Sequence, residues 1–500
     1  MDACYQLVLL LLALLGFLAL EKAKKKSQIK KHRLPPGPRG LPLIGNLHQL
    51  GKHPHRALAK LSKLHGPVMY LQLGRVPAVV VSSAEAAEAV LKTHDRDSCS
   101  RPALIAWKQI SCNFSDVVFS PYGASWRELK KILMVKLLCT RKVEGFRRVR
   151  EEEVERMTSS IFSRIAPLEP VNLSELVQSL SNSIICRIVL CRKLEVGGSL
   201  ENRFNRILQE AEAFAIGFFI ADYIPWAGWV DKLTGKQAAL EKTHAEMEAF
   251  CQEILGAHAD RGKPRDDEEG IIDFMLRRQK DKSDLTMDNV KGVLLNILFA
   301  ATDTSAATLE YAMAELVRNP RTMSKAQEEV RSVVGEKGKV EETDIPQLIY
   351  LKSVVKETLR LHPPAPILVP RETTGQITIN DCEILPKMRL IVNAWAIGRD
   401  PHFWERPDEF LPERFVDNPV DFKGQDFQFI PFGAGRRICP GTSFAVMAVE
   451  LALANLLYAF NWDVPAGMGE EGIDMAEGVG LAVRLKTALR LKASLYTQFK

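Results

Sequence analysis

The chain has no C-x-x-C pair, no glycine fingerprint for a dinucleotide or flavin, no internal repeat and no low-complexity tract. Each absence removes a class of function. Without paired cysteines there is no zinc ribbon and no dithiol redox motif. The nine cysteines, at 4, 99, 112, 139, 186, 191, 251, 382 and 439, are odd in number and scattered, which fits reduced thiols facing the cytosol. Eight of them read as small buried hydrophobes, Cys439 being the exception. The nearest approach to a dinucleotide loop, Gly433-Ala434-Gly435, lacks the glycine spacing that would follow it. With no repeat and no second proline-rich linker, one large domain is the simplest organisation.

Net positive charge is also lacking, except at one end. Lys22, Lys24, Lys25, Lys26, Lys30, Lys31 and Arg33, less Glu21, account for the whole net charge of +6. The remaining chain is neutral, without the spread of cations that gripping nucleic acid requires. What is present is apolar: 46% of the residues are hydrophobic, enough for a sizeable core. The run Cys4–Leu20 carries no charge, and the basic cluster follows it at once. A cleaved signal peptide would place cations before the apolar run and small residues after it, whereas here Asp2 precedes and lysines follow. The expectation is a single N-terminal transmembrane helix over 1–20 and a basic juxtamembrane segment over 21–33, placed in the cytosol by the positive-inside rule. Four prolines between Leu34 and Pro42 make 34–42 a stiff hinge, leaving 43–500 as the folded domain.

Within that domain helical spacing dominates, at Ser125–Leu138, Leu200–Ile220, Lys236–His258, Met287–Arg318, Arg321–Val334, Ile349–Leu361 and Thr442–Phe460. Val68–Ser82, broken at Gly74-Arg75-Val76-Pro77, reads as a hairpin, with short strands near Gln376–Ile379 and Leu390–Asn393. Arg261–Gly270 is a polar surface loop. The fold class is mainly α with a small β portion.

The most informative segment is Phe432-Gly433-Ala434-Gly435-Arg436-Arg437-Ile438-Cys439-Pro440-Gly441, of the form F-x-x-G-x-R-x-C-x-G. Glycines let the backbone turn tightly toward a flat cofactor. Amide N–H groups near the start of the helix that follows stabilise a thiolate. Taken alone, a buried cysteine in a Gly-rich turn is the competing reading; five fixed positions in ten residues make chance agreement improbable. The segment resembles the haem-binding signature of the cytochrome P450 superfamily. By that resemblance Cys439 is the thiolate ligand of the iron, Arg437 meets an acidic substituent of the macrocycle, and Phe432 and Gly441 belong to the same cradle.

Further motifs agree with the resemblance. Glu357-Thr358-Leu359-Arg360 supplies an E-x-x-R pair at i, i+3, and Arg414 in Pro412-Glu413-Arg414-Phe415 is expected to join them in a structural network. Ala300-Ala301-Thr302-Asp303-Thr304-Ser305 resembles the family's oxygen-activation sequence A-G-x-[DE]-T-[TS] and implies Thr304 and Asp303 as catalytic residues, the hydroxyl opening a groove for a proton-relaying water. Ala301 stands where glycine is usual. Trp126-Arg127-Glu128-Leu129-Lys130 resembles the W-x-x-x-R helix that meets a haem propionate, with Lys130 in place of the arginine; Lys130 keeps the charge and loses the fork. Arg371, in Val369-Pro370-Arg371-Glu372, matches the arginine that meets the other propionate.

The resemblance spans essentially the whole chain and implies a P450-like fold, haem b and a hydroxylating or otherwise oxidising monooxygenase. Electrons would come from NADPH only indirectly, through a membrane-bound NADPH–cytochrome reductase, with dioxygen and a small hydrophobic substrate as co-reactants. Ala365-Pro366, Asn393–Pro401 and Asp421–Phe427 resemble plant microsomal members of specialised metabolism, implying a terpenoid, alkaloid or phenolic substrate. They also imply a single-pass protein of the endoplasmic reticulum, its domain facing the cytosol. The substrate pocket is expected from Cys99–Phe119, Phe204–Ile220, Asn296–Thr304, Ile367–Val369 and Glu477–Leu481, with Ala300, Ile367, Val369 and Val479 named within it. A haem-thiolate isomerase or dehydratase needing no reductase, and a haem carrier without turnover, are the alternatives; Asp303 and Thr304 weigh against both.

Overall fold

Thr286 starts the longest helix with a reciprocal cap: its hydroxyl accepts from the Asn289 N–H, and the Asn289 side chain accepts from the Thr286 N–H at 3.0 Å. The helix runs Met287–Arg318 and ends where Pro320 opens the next, Pro320–Val334, itself stopped at Gly335 with φ 59°. In this computed structural model, which describes residues 32–165, 169–190, 198–259, 270–281, 285–465 and 472–496, that central helix packs against Leu173–Leu190, Ile349–Leu361 and Thr442–Ala459. The expected anchor, 1–20, and all of the Arg261–Gly270 loop except Gly270 lie outside the described residues. Met287–Arg318 and Thr442–Ala459 are long and apolar enough to cross a membrane, but 72% of each apolar window is buried inside the fold, which makes them core helices.

The β portion is small. Val68–Leu73 and Val76–Val81 form the expected hairpin around Gly74, with Val68 opposite Val81. Val76–Val81 pairs in parallel with Arg389–Val392, which pairs with Arg371–Glu372. Ala78 to Val81 are fully buried, as a central strand covered on both faces requires. The 34–42 segment lies along this sheet, the Tyr70 N–H donating to the Pro36 carbonyl at 2.8 Å.

Longer helices outside the expected spans are Pro54–His65, Arg147–Ile165, Leu173–Leu190 and Ile271–Asp281. Arg147–Ile165 turns Arg150 and Glu153 inward, where they pair with Glu342 and Arg187, so its buried face reads as polar. In Leu173–Leu190 the buried face includes Ser181, Asn182 and Ser183. The expected Ser125–Leu138 helix is an α-helix over Ala124–Ile132 continued by a π-helical turn, Leu133–Leu137. The expected Leu200–Ile220 helix ends at Ala215, and the chain passes through short 3₁₀ turns before Trp229.

Candidate active site

A cavity of about 290 Å³ lies between the central helix and the loop before Thr442–Ala459. Trp126, Lys130, Arg371, Phe432, Arg437, Cys439 and Gly441 all line it, as do Ala300, Thr304 and Val369. Residues more than 300 positions apart therefore share one space. Its walls are mostly apolar, with Val118, Ile297 and Leu368 among them.

The loop that presents Cys439 is built by short-range hydrogen bonds. The Cys439 N–H donates to the Phe432 carbonyl at 3.0 Å, and the Ile438 N–H to Gly435 at 3.1 Å. Gly435, at φ 69°, packs so closely that a Cβ there would stand 2.0 Å from the Leu91 carbonyl oxygen, so only glycine fits. Asp95 clamps the same turn by accepting from the Arg436 N–H at 2.8 Å. Burial pushes the Cys439 thiol up from its ordinary value, while the Gly441 N–H, Lys130 and the Thr442 hydroxyl work the other way. A thiol so placed becomes a thiolate most readily when a metal ion takes the proton's place.

Around the cavity the cations are short of anions. Lys130 donates to the Ile438 carbonyl at 2.7 Å. Arg437 donates to the carbonyls of Cys99, Val117 and Ser120 and stacks on Trp126, 4.2 Å from the ring centroid. The Trp126 indole N–H is itself engaged by the Val117 carbonyl at 2.9 Å. Arg101, which the sequence reading did not single out, lines the same cavity and meets the carbonyls of Val118, Val369 and Pro370. Among the described residues none of these three forms an ion pair; only Arg371 does, with Asp95 at 2.8 Å. Burial lowers Lys130 to about 8 and Arg437 to about 10. Buried cations held by neutral carbonyls are incomplete without an anion. A flat macrocycle carrying two carboxylates, with a metal for the single thiolate, fits this donor set. Among the described residues no cluster of three His, Cys, Asp or Glu side chains competes for a metal.

On the cavity side of the central helix, Thr304 Oγ1 donates to the Ala300 carbonyl at 2.7 Å, the back-bonding its mid-helix position implies. Ala301 also lines the cavity. Asp303 does not: its carboxylate points to the neighbouring helix, accepting from Gln178 Nε2 at 2.7 Å. Successive helical residues face about 100° apart, so Asp303 and Thr304 look in different directions.

Several expected pocket residues are elsewhere. Val479 is 65% exposed, because Glu477 ties the base of its loop to His55 and Arg56 at 2.9 and 2.7 Å. Ile367 packs on the sheet cluster with Leu58 and Met69. Phe204–Ile220 and Glu477–Leu481 contribute no lining side chain; Phe204 is turned into the core against Phe250. The Cys99–Phe119 segment does reach the cavity through Arg101, Val117 and Val118, held by Asn296, whose Oδ1 accepts from the N–H groups of Val117 and Val118 at 3.0 and 3.2 Å. Asn296 and Arg101 lie in the expected segments Asn296–Thr304 and Cys99–Phe119, but their individual roles carried no local signal, since their partners are remote in sequence.

Glu357, Arg360 and Arg414 meet away from the cavity. Arg360 forks onto Glu357 at 2.7 and 2.8 Å, and Arg414 Nε reaches Glu357 at 3.0 Å.

The comparisons with known proteins point the same way. Residues 35–489 match the family model described as cytochrome P450. The chain is 48% identical to cytochrome P450 71A9 of Glycine max, covering 98% of this chain and 99% of that one. It is 46% identical to the strychnine-11-hydroxylase of Strychnos nux-vomica over 96% of this chain and 94% of that one. It is 45% identical to the 6,7,8-trihydroxycoumarin synthase of Pastinaca sativa, over 92% of this chain and 93% of that one. A zebrafish cytochrome P450 solved with abiraterone shares the fold, with a TM-score of 0.74 at 22% identity over 89% of this chain and 99% of that one.

Proposed function

The chain belongs to the cytochrome P450 family and is a haem-thiolate monooxygenase, and from that premise we propose that it oxidises a small hydrophobic plant specialised metabolite with Cys439 as the iron ligand. The observation that carries this reading is the single thiol that faces the mostly apolar cavity, beside Arg101, Lys130 and Arg437, which pair with no carboxylate among the described residues. Arg101, Lys130, Arg371 and Arg437 would hold the two haem carboxylates, and Phe432 and Gly441 would flank the ring. Bound haem b supplies the activation of dioxygen and the transfer of one oxygen atom to substrate. The chain's own groups do the rest. The Thr304 hydroxyl, released from the Ala300 carbonyl, would position a water, and Asp303 behind it would supply protons. Ala300 and Val369 give the substrate an apolar surface. Relatives named for strychnine hydroxylation and trihydroxycoumarin synthesis support a specialised metabolite of terpenoid, alkaloid or phenolic type.

The family also implies a redox partner, and no dinucleotide fingerprint is present in the sequence. We assign the electrons to an NADPH–cytochrome reductase in the endoplasmic reticulum membrane. Residues 1–20 would span that membrane once and 21–33 would lie on its cytosolic surface, with the 34–42 hinge leading to the catalytic domain, 43–500. The apolar run and lysine cluster support this topology.

The test is spectroscopic and chemical. Reduced holoprotein with carbon monoxide should show the red-shifted band of a trans thiolate, and Cys439→Ala should lose it together with all product. Reductase-supported membranes challenged with a plant metabolite panel should form an oxygenated product, detected by mass spectrometry, with consumption of NADPH and dioxygen. Product without reductase would replace the monooxygenase by the isomerase or dehydratase; a retained band in Cys439→Ala would move the ligand elsewhere.

A further inference from the structure

Behind the cavity, Asp303 heads a half-buried polar row that runs across two helices. Gln178 on Leu173–Leu190 donates Nε2 to Asp303 and, through Oε1, accepts from Arg484. Arg484 also lies 3.5 Å from Glu310, whose carboxylate accepts from the Ser174 hydroxyl. On the third element of the junction, the helix Ser199–Ala215, stands Glu212. It is only 9% exposed, and its Oε1 is buried with no hydrogen-bond donor beside it among the described residues. Its side chain bonds instead to the Asp303 carboxylate, another acceptor. Two carboxylates can bond only through a proton, and side by side in a helix interface they do not both ionise. Burial first, then the Asp303 charge, pushes the Glu212 carboxyl up to about 9, with Arg484 opposing; those two are the charged groups that face it. At neutral pH Glu212 therefore keeps its proton.

We propose that Glu212 is a positioning acid that reloads Asp303 with protons during turnover. The inference rests on the reading of Asp303 and Thr304 as the inner proton path and extends it outward by one carboxyl. In each transfer the Glu212 O–H bond breaks as an O–H bond forms on Asp303. Glu212, left as a carboxylate, recovers a proton from solvent, and no electrons move. Gln178, braced by Arg484, holds the Asp303 carboxylate on the side where Glu212 waits. Glu212 touches neither substrate nor cofactor, so its effect on chemistry passes through Asp303 alone.

The test uses full-length holoprotein with reductase and NADPH, and reads hydrogen peroxide released per NADPH together with the infrared C=O stretch of protonated carboxyls. Glu212→Gln keeps the shape and removes the acid. It should lose one protonated-carboxyl band and raise the peroxide yield several-fold, with product per NADPH, for a substrate found in the metabolite screen, falling about tenfold or more. Glu212→Asp should restore part of the coupling. In wild type the same band should vanish, and the peroxide yield rise, as pH passes about 9; in Glu212→Gln both should be flat there. Asp303→Asn separates the two levels of the argument. If it raises peroxide while Glu212→Gln behaves as wild type, this inference falls and the inner path stands. If neither variant raises peroxide, the inner path falls as well. A wild-type peroxide yield that stays flat through pH 9, or an unchanged band in Glu212→Gln, also overturns the proposal.

Discussion

Two sets of buried or half-buried arginines and lysines are satisfied in opposite ways. Arg360 is 1% exposed and makes contact through every nitrogen, forking onto Glu357 and donating to the carbonyls of Gly398, Pro407 and Glu409 at 2.7, 2.6 and 3.0 Å. Glu357, fully buried, also accepts from Arg414 and from the Leu411 N–H. In that cluster the carboxylate and each guanidinium have a charged partner within the chain. Arg101, Lys130 and Arg437 are held by backbone carbonyls and by no carboxylate of the described chain. A complete buried network locks one arrangement of the chain, whereas an incomplete one stores affinity for an anion that has yet to arrive. The same residue types thus complete a folded network in one place and, on the function proposed above, would receive the haem carboxylates in the other.

Removing one partner from the complete cluster should have the largest effect. Arg360→Ala takes the two-pronged partner from a fully buried carboxylate and leaves it only Arg414 and the Leu411 N–H, a loss of about 3–5 kcal/mol, comparable to much of a domain's net stability. Denaturant unfolding should show a large fall in midpoint, or the folded protein should be lost altogether. A midpoint near wild type would mean that water enters and solvates Glu357, and the contrast would collapse.

The same operation on the incomplete set should behave differently. Lys130→Met removes a cation that no anion of the chain needs, so apoprotein stability should be nearly unchanged. Haem release to a scavenger globin should be faster, by about ten- to a hundredfold in affinity, as expected for one charge-assisted hydrogen bond of about 1.5–3 kcal/mol. Equal losses of stability in apoprotein and holoprotein would show that Lys130 is a folding residue like Arg360.

Glu450 offers a third solution and the smallest expected change. It is 8% exposed on Thr442–Ala459, and burial raises its carboxyl to about 7, with Lys352 and Lys356 opposing. The folded state keeps a proton that the unfolded chain releases between about 4.5 and 7, so this group lowers stability progressively across that window and fully above it. Glu450→Gln should match wild type below pH 4.5 and exceed it at pH 8 by on the order of 1 kcal/mol, read as a rise in Tm. Identical Tm profiles would place Glu450 in contact with water.

Much of the site was legible because its motifs are contiguous. Gly435 needs its positive φ whatever surrounds it, and Thr304 back-bonds within its own helix, so both follow from neighbours in sequence. Glu357 and Arg360 share a helix face for the same reason, but nothing in E-x-x-R says that three carbonyls some 38 to 49 residues away complete the fork. Arg101 and Glu212 lie in the expected pocket segments Cys99–Phe119 and Phe204–Ile220 but were not singled out there: each is one charged residue whose burial exists only once remote helices close over it. Val479 failed in the reverse direction. Its segment reads as apolar, but Glu477 bonds outward to His55 and Arg56 and leaves the tip in solvent.

By itself the sequence determined the mainly helical class, the thiol and the Gly-rich turn that presents it, and the helix that faces the oxygen chemistry, since each depends on interactions within about one turn of chain. Only the tertiary structure decided which buried charges find a charged partner within the chain and which do not, and that Asp303 looks away from the cavity toward Gln178. Those outcomes depend on desolvation and on partners brought from distant helices, and the energy of a buried charge belongs to its surroundings and not to its place in the chain.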